Sequence, residues 1–359
     1  MIKYIGSKRR LVPTILRVFD SLAPNARLLD LFSGTCRVGH AAKRCGYEVA
    51  ANDHNEYAYV LATCYVQADA NKYREEAGRI IDYLNHLQPT PGYFTETFCI
   101  KSRFFQPKNG EKIDAIREWI EDNIFDFNLK AILLTSLIEA ADRVDSTTGV
   151  QMAYLKKWAP RSYNDLFLRL PAILPGEGQA TRLDALDAVR HIDCDIVYLD
   201  PPYNQHSYLG NYHIWETLVK WDKPDFYGVA CKRIDCRSYK SPFNSKRQAY
   251  SALKKVVDSI QAPHIVISFN NEGYIERQQI EHLLESIGMV ATLSISYDRY
   301  VGAKIGIYNP KGDKVGKVSH TKNKEYLYIV SKDEAAFSRI NNFAAMYAED
   351  CQQSFQGFL

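Results

Sequence analysis

Residues 27–53 constrain the fold of this chain more than any other segment. Residues 27–32 are a short apolar run, residues 37–45 have helical periodicity, and residues 48–53 form a second short apolar run. A tight turn at Ser33-Gly34 separates the first run from the helix. This order predicts a βαβ unit with two parallel strands, because a crossover helix returns the chain to the same edge of the sheet.

Further strand and helix patterns extend this unit. Residues 195–200, 264–269 and 326–330 are apolar runs typical of buried strands, and residues 67–169 have helical periodicity. Strands that alternate with helices predict an α/β fold with a mostly parallel, doubly wound sheet. The breaks that we expect within the helical stretch lie near residues 89–92 and 107–110.

Composition limits the class of protein. The chain has 359 residues, of which 46% are hydrophobic and 24% charged. This supports one large or two ordinary domains with a buried core and excludes disordered and fibrous classes. We find no signal peptide and no apolar run of membrane-spanning length, so we expect a cytoplasmic protein. The eight cysteines lack paired CxxC spacing, so we expect reduced thiols and no metal site.

The formal net charge of +3 conceals an uneven distribution. Residues 232–255 hold eight Lys or Arg against one acid, Asp235, and residues 299–324 hold seven against one, Asp313. The remainder of the chain is acidic. Two such basic stretches favour a polyanionic partner. Solvated surface loops are the alternative explanation.

The turn within residues 30–39 follows a strand and begins a helix, as in nucleotide-binding loops. A P-loop requires Lys and Ser or Thr where His40 and Ala41 stand. A dinucleotide fingerprint requires a second glycine where Cys36 stands. The remaining cofactor is S-adenosylmethionine (SAM), with Asp53 accepting hydrogen bonds from its ribose hydroxyls. By itself the turn is equally compatible with an ordinary strand–turn–helix.

Asp200-Pro201-Pro202-Tyr203 directly follows an apolar strand, at the edge where open α/β sheets bind ligands. The two prolines remove amide donors and leave carbonyl acceptors, Asp200 adds a carboxylate, and Tyr203 adds an aromatic face. Two acceptors beside an aromatic ring suit a planar group that carries an NH2. The exocyclic amine of adenine or cytosine fits, whereas a structural proline turn is the alternative.

A set of motifs occurs in a characteristic order: Tyr4-Ile5-Gly6-Ser7-Lys8, residues 30–39, Asp53, Asp200-Pro201-Pro202-Tyr203 and Ser268-Phe269-Asn270-Asn271-Glu272-Gly273. In this order they resemble the D12 class of DNA adenine-N6 methyltransferases, over roughly residues 1–330. Residues 153–158 and 300–310 are most similar to modification enzymes that accompany bacterial restriction endonucleases.

The resemblance implies a SAM site. Tyr4 and Lys8 are expected at the methionine end of SAM, Asp53 at the ribose and Asp184 at the adenine. Cys36 departs from the glycine that the family usually has. The complete set of expected cofactor-binding residues is Tyr4, Ile5, Gly6, Ser7, Lys8, Asp30, Phe32, Ser33, Gly34, Thr35, Asp53, Asp184 and Asp200.

The resemblance also implies the domain organisation. We expect a Rossmann-like, SAM-dependent methyltransferase sheet into which a helical target-recognition domain is inserted. The expected boundaries are 1–66 and 176–335 for the discontinuous SAM-binding catalytic domain, 67–175 for the helical insertion and 336–359 for a C-terminal extension.

The expected partner is double-stranded DNA, with a separately acting cognate restriction endonuclease where one exists, in a bacterial or phage-encoded system. We expect no membrane and no metal. Residues 299–324 have the alternation of a β-hairpin. The expected DNA-binding residues are Tyr154, Lys156, Lys157, Lys240, Lys246, Arg247, Lys304, Lys311, Lys314 and Lys317. His206 and His213 are expected to order their loop or touch DNA.

In the implied mechanism, Asp200, Pro201, Pro202 and Tyr203 are the catalytic residues. Asp200 and the Pro201 carbonyl accept the two N6 hydrogens, and the target base leaves the duplex and stacks on Tyr203. Cytosine-N4 methylation uses the same geometry and is the alternative reaction. A non-catalytic nucleic-acid-binding module of the same fold is the non-enzymatic alternative. Cytosine-C5 chemistry is excluded because the chain has no Pro-Cys dipeptide.

Overall fold

A computed structural model describes residues 1–238, 240–298, 307–308, 314–316 and 322–356. Its main feature is a seven-stranded sheet in the order β3-β2-β1-β4-β7-β11-β8. The strands of this sheet are β1 (Arg27–Asp30), β2 (Glu48–Asn52), β3 (Gln179–Thr181), β4 (Ile196–Leu199), β7 (His264–Asn270), β8 (Met289–Asp298) and β11 (Lys322–Ser331). Two short pairs are β5 (Phe226–Tyr227) with β6 (Lys232–Arg233), and β9 (Ile307–Tyr308) with β10 (Lys314–Gly316).

Strands β3, β2, β1, β4 and β7 are parallel, and β11 pairs antiparallel with β7 and β8. The register places Leu28 of β1 beside Val49 of β2 on one side and Ile196 of β4 on the other. The chain runs outward from β1 in both directions, so the carboxyl ends of β1 and β4 border a topological switch point. The predicted α/β class with a mostly parallel sheet is confirmed.

Helices cover both faces of the sheet. Successive strand residues point to opposite faces, so a strand that is apolar throughout needs a packed layer on each side. Leu28 and Val49 belong to one apolar cluster, whereas Leu29 and Val197 belong to another. The helices are α1 (Val12–Leu22), α2 (Arg37–Arg44), α3 (Glu56–Ala62), α4 (Ala70–His86), α5 (Tyr93–Thr95), α6 (Pro107–Asn123), α7 (Phe127–Val144), α8 (Ala185–His191), α9 (Tyr208–Asn211), α10 (His213–Lys220), α11 (Asp235–Ser238), α12 (Ala249–Ser259), α13 (Arg277–Glu285) and α14 (Glu334–Gln356).

The segment expected as a helical insertion, residues 67–175, contains α4 to α7. Its buried side chains join the same apolar cluster as Leu28 and Val49, so this segment and one face of the sheet share a core. The break expected near residues 107–110 lies at residues 101–106, and Pro107 is the first residue of α6. Proline is favoured at the first helical position, where its missing N–H has no intrahelical partner.

The described part of the basic stretch 299–324 consists of the short strands β9 and β10 and the first three residues of β11. Ile307–Tyr308 pairs antiparallel with Lys314–Gly316, which agrees with the predicted hairpin. Lys304, Lys311 and Lys317 lie outside the described residues. Within the described ranges, no helix has the length and apolar content needed to cross a bilayer.

Candidate active site

A cleft of about 460 Å³ opens at the carboxyl ends of the central parallel strands. We call it the central cleft. Its volume lies within the range of small-molecule sites. Of the predicted cofactor residues, those that line it are Tyr4, Gly6, Ser7, Lys8, Asp30, Phe32, Ser33, Gly34, Thr35, Asp53, Asp184 and Asp200. Ile5 is half exposed instead, and its backbone N–H donates to the Tyr212 hydroxyl at 2.7 Å.

Aromatic side chains fix the amino-terminal segment against the cleft. The Tyr4 ring stacks on Tyr212 with centroids 4.5 Å apart and on Tyr208 at 5.2 Å. The Tyr4 and Tyr57 hydroxyls are 2.9 Å apart. Gly6 has φ of +74°, a left-handed conformation that glycine adopts at little cost. These contacts place Tyr4 against the turn at Ser33-Gly34, which we call the glycine turn.

The glycine turn is shaped for close approach. Gly34 has φ of +50°, and a Cβ there would lie 3.2 Å from the Tyr4 ring. Cys36, where the family usually has glycine, adopts φ of 58° immediately before α2. Its side chain is fully buried. The backbone therefore keeps the left-handed turn that a glycine would make, at a cost of about 1–2 kcal/mol.

Two carboxylates hold the loops that follow β1 and β2. Asp30 accepts a hydrogen bond from the Gly39 N–H at 2.9 Å, and burial raises its pKa to about 7. Asp53 accepts from the Gly34 N–H at 3.0 Å and from Asn55, and burial raises its pKa above the ordinary value. Asp53 thus ties the glycine turn to the end of β2.

Asp184 and Asn52 organise the next part of the cleft. Asp184 caps α8 by accepting from the Leu186 N–H at 2.9 Å. The buried Asn52 amide donates to the Leu31 and Leu183 carbonyls and accepts from the Leu183 N–H. Asn52 therefore joins the loops that follow β1 and β3. Sequence analysis missed this residue, although it immediately precedes Asp53.

The predicted catalytic tetrad, residues 200–203, directly follows β4 in the middle of the sheet. Asp200 and Pro202 line the central cleft, and Pro201 is buried. The Tyr203 ring meets Phe269 edge-on, with centroids 5.9 Å apart. The Tyr203 carbonyl accepts from the Tyr274 N–H at 2.9 Å. Neighbouring segments therefore fix Tyr203 through both its ring and its backbone.

Asp200, whose side chain is 20% exposed, belongs to a charge cluster with the buried Lys8 and Glu325. The Lys8 ammonium lies 2.9 Å from an Asp200 carboxylate oxygen and 2.7 Å from a Glu325 oxygen. Burial raises the pKa of Asp200 to about 6, although Lys8 lowers it. Burial disfavours the Lys8 ammonium, but the two carboxylates hold its pKa well above the ordinary value. Asp200 is therefore ionised at neutral pH.

Other residues in and around the cleft were not predicted. Tyr57, Tyr208 and Tyr212 surround Tyr4, and Tyr208 and Tyr212 are spaced by four residues just after the tetrad. Phe243 and Lys255, from the first basic stretch, line the cleft wall. Phe243 meets Phe32 edge-on at 5.3 Å. Glu325 stands in the polar first half of β11, so no local sequence signal identifies it.

The predicted DNA-binding residues that the structure describes are mostly exposed. Lys156, Lys157, Lys240, Lys246 and Arg247 have exposed side chains, whereas Tyr154 is half buried and packs edge-on against Phe104. For Lys314 the described part is its backbone position in β10.

The basic stretch 232–255 is less available to a polyanion than its composition indicates. Arg233 is 3% exposed and pairs with Asp222 and Asp235 at 2.7 and 2.8 Å. Lys254 pairs with Asp258 on α12. The exposed cations at the tip of this stretch remain candidates for phosphate contact.

The histidines near the site form hydrogen bonds or are exposed, and the described cysteines are free. His213 is buried, its Nε2 lies 3.0 Å from the Gln151 carbonyl, and burial lowers its pKa to about 3. His206 is exposed, and its carbonyl accepts from the Asn244 amide. The cysteines described in the structure are free. Among the described residues, no group of three His, Cys, Asp or Glu could hold a metal ion.

Comparison with known proteins gives consistent results. A family model described as D12 class N6 adenine-specific DNA methyltransferase matches residues 4–283. Modification methylase StsI of Streptococcus sanguinis is 32% identical, over 83% of this chain and 48% of its own length. Type II methyltransferase M.NlaIII of Neisseria lactamica is 30% identical, over 92% of this chain and 99% of its own length.

Type II methyltransferase M.FokI of Planomicrobium okeanokoites is 28% identical, over 95% of this chain and 54% of its own length. The chain thus spans about half the length of StsI and M.FokI and nearly all of M.NlaIII. The family match covers most of the chain and includes the tetrad and the glycine turn. The chain therefore belongs to the D12 class of N6 adenine-specific DNA methyltransferases, which confirms the family and enzyme class predicted from its motifs.

Proposed function

We propose that this protein transfers the methyl group of SAM to N6 of an adenine that has turned out of double-stranded DNA. The position of Asp200 carries the proposal. Its carboxylate follows a central parallel strand and lines the same cleft as the glycine turn and Asp53. A target amine and a nucleotide cofactor could therefore meet at this edge of the sheet.

The shape and donor set of the central cleft fit SAM. Gly6 and Gly34 let Tyr208 and Tyr4 pack closely at the edge of the cleft, since a Cβ at either glycine would lie 3.2 Å from the tyrosine. Asp53 offers a carboxylate suited to ribose hydroxyls, and Asp184 lines the cleft near the start of α8. When bound, SAM supplies an electrophilic methyl group on a sulfonium. We assign the twelve lining residues given above to this cofactor site.

Asp200 provides the acceptor for the target amine. The N6 lone pair of adenine is delocalised into the ring, so the nitrogen must be aimed and its conjugation weakened before it attacks. A carboxylate that accepts an N6 hydrogen binds more tightly as positive charge develops on nitrogen, which stabilises the transition state selectively. We assign the second N6 hydrogen to the Pro201 carbonyl.

Tyr203 provides the surface for the flipped base. The methylated nitrogen is inaccessible inside a duplex, so the base must leave the stack. Contacts of Tyr203 with Phe269 and Tyr274 restrain its ring and backbone. A restrained ring loses little conformational freedom when a base stacks on it.

We further propose that residues 67–175 read the target sequence as a recognition domain. The exposed Lys156 and Lys157 lie in the connection between α7 and β3, and Arg103 binds the Lys156 carbonyl and stacks over Trp158 at 4.8 Å. This gives one surface a cation beside an aromatic ring, which suits nucleic acid. Exposed Lys240, Lys246 and Arg247 would contact phosphates.

The biological setting follows from the relatives. Two of them are named type II methyltransferases and one is named a modification methylase. We propose that this protein likewise marks DNA in the bacterial cytoplasm, with any cognate restriction endonuclease acting as a separate protein.

The decisive test is Asp200→Ala. We expect methyl transfer to fall by about 10²- to 10³-fold, as when one oxyanion-hole donor is removed, while SAM affinity falls much less, because Asp200 is one of twelve residues assigned to the cofactor site. Methylation would be measured by long-read detection of modified bases in DNA from expressing cells, and by single-turnover kinetics with purified protein.

Asp193→Ala is the matched control, because this exposed aspartate lies at the opposite end of β4. It should methylate normally. Wild-type activity in the Asp200→Ala variant, or DNA without N6-methyladenine from cells that express the wild type, would contradict the proposal.

A further inference from the structure

Glu325 lies inside the sheet, on the antiparallel strand β11 between β7 and β8. Its side chain is 2% exposed. One carboxylate oxygen accepts from the Ser268 hydroxyl at 2.6 Å and lies 2.7 Å from the Lys8 ammonium. Lys8 is 7% exposed and reaches Asp200 at 2.9 Å. A chain of short contacts therefore joins β7, β11, the amino-terminal segment and the tetrad.

The balance of charge in this cluster explains why a second carboxylate is useful. If the ammonium were paired with Asp200 alone, it would polarise the Asp200 carboxylate. Asp200 would then be a weaker hydrogen-bond acceptor for the target amine. A second buried carboxylate shares that ammonium. The isolated Lys8 charge would also be costly to bury, whereas a paired and hydrogen-bonded cluster compensates it.

We propose that Glu325 is a positioning residue for methyl transfer, which holds Lys8 in place and shares its charge so that Asp200 stays directed at the target amine. Glu325 acts through Lys8, since its side chain is buried and is not among those that line the central cleft. The inference rests on the proposed function, because it requires Asp200 to be the acceptor.

The proposal predicts a pH signature. Negative Glu325 raises the pKa of Asp200 and positive Lys8 lowers it, on top of the larger effect of burial. The titratable groups that face Asp200 from the elements around it are Lys8, Asp30, Tyr198, Tyr208 and Glu325, with Tyr203 beside Lys8. Burial raises the pKa of Tyr198 and Tyr208 well above the ordinary value, so both stay neutral. Asp30, whose pKa burial raises to about 7, titrates in the wild type and in the variants alike, so a difference between them reports Lys8 and Glu325.

The experiment measures single-turnover DNA methylation from pH 5 to pH 8 at saturating SAM. In Glu325→Gln the rate should fall by about 10-fold, less than for loss of the acceptor itself. Its acidic limb should move to lower pH than in the wild type, because one negative charge near Asp200 is removed. Lys8→Gln should move the limb in the opposite direction.

Matched variants separate positioning from general destabilisation. Glu325→Asp keeps the charge, so its limb should stay at the wild-type pH. Ser268→Ala removes one hydrogen bond to Glu325 but no charge, so it should lower the rate a few-fold without moving the limb. Glu285→Gln, at an exposed position on α13, should leave both rate and limb unchanged.

An acidic limb that stays at the wild-type pH in Glu325→Gln would overturn the inference. If that variant does not fold, an unchanged rate in Ser268→Ala would overturn it. Failure of the proposed function looks different, since then Asp200→Ala would itself methylate normally. If Asp200→Ala loses activity but the acidic limb of Glu325→Gln does not shift, the role of Glu325 is rejected and the proposed function stands.

Discussion

Asp53 shows how one side chain can both build a binding turn and contact a ligand. Its carboxylate accepts from the Gly34 N–H and from the backbone and side chain of Asn55. Each carboxylate oxygen has about two acceptor sites, so these three bonds leave capacity for about one further donor, on Oδ2. Asp53 also lines the central cleft, where a ribose hydroxyl would supply that donor.

Asp53→Ala should weaken SAM binding by roughly 10- to 100-fold, since hydrogen bonds to a charged group contribute about 1.5–3 kcal/mol. The rate at saturating SAM should change less, because ribose contacts are similar in the ground and transition states. A calorimetric or fluorescence titration with SAM measures the affinity. Asp187→Ala, an exposed substitution on α8 outside the cleft, is the control. Unchanged affinity in Asp53→Ala would remove this residue from the cofactor site.

At the scale of elements, α10 supports the start of α3. The Glu216 carboxylate of α10 accepts from the Glu56 and Tyr57 N–H groups at 3.3 and 3.1 Å. These groups belong to the first turn of α3, which has no intrahelical partners for them. Glu216 is 6% exposed, and burial raises its pKa to about 7.

Glu216→Gln should change how stability depends on pH. In wild type, Glu216 holds a proton in the folded state up to about pH 7, whereas the unfolded chain releases it near pH 4.5. Stability from this group therefore falls as pH rises between those values, by on the order of 3 kcal/mol. The variant lacks this decline, so wild-type melting temperature relative to Glu216→Gln should decrease from pH 5 to pH 7.

Thermal melts at fixed ionic strength across this pH range measure the difference. Glu285→Gln, on the solvent-facing side of α13, should track the wild type at every pH. A constant difference between wild type and Glu216→Gln would mean that the buried carboxylate does not titrate in this window.

Elements differ in how far the sequence determines them. β1, β2, β4 and β7 were predicted within one or two residues, because each is a continuous apolar run in a doubly covered sheet. β11 was predicted to begin at Tyr326, whereas the strand begins at Lys322. Its polar first half pairs with β8, and such pairing depends on residues distant in sequence.

The same distinction applies to the candidate site. Asp200 and Gly34 could be identified because each stands in a local motif whose chemistry is readable. Glu325 and Tyr57 reach the site through packing between segments far apart in the chain, so no local pattern identifies them. Lys8 was predicted for the methionine end of SAM, and that remains a prediction, while its ammonium pairs with Asp200 and Glu325.

Exposed cations lie at both ends of the parallel strands. Lys246 and Arg247 are exposed in the segment that leads into α12, whose residues form one wall of the central cleft. Arg190 and Lys332 are also exposed, but they lie near the amino ends of the parallel strands. The two pairs have equal charge and opposite placement, which permits a matched comparison.

Lys246→Gln with Arg247→Gln should weaken binding to cognate and random duplexes alike, because phosphate contacts carry no sequence information. Each lost contact retains counterions on DNA, so the slope of log affinity against log salt should become shallower by about 0.9 per contact. Fluorescence anisotropy at several salt concentrations measures the slope, and SAM affinity should stay unchanged. Arg190→Gln with Lys332→Gln should keep the wild-type slope. If both double variants keep the wild-type slope, Lys246 and Arg247 do not contact DNA.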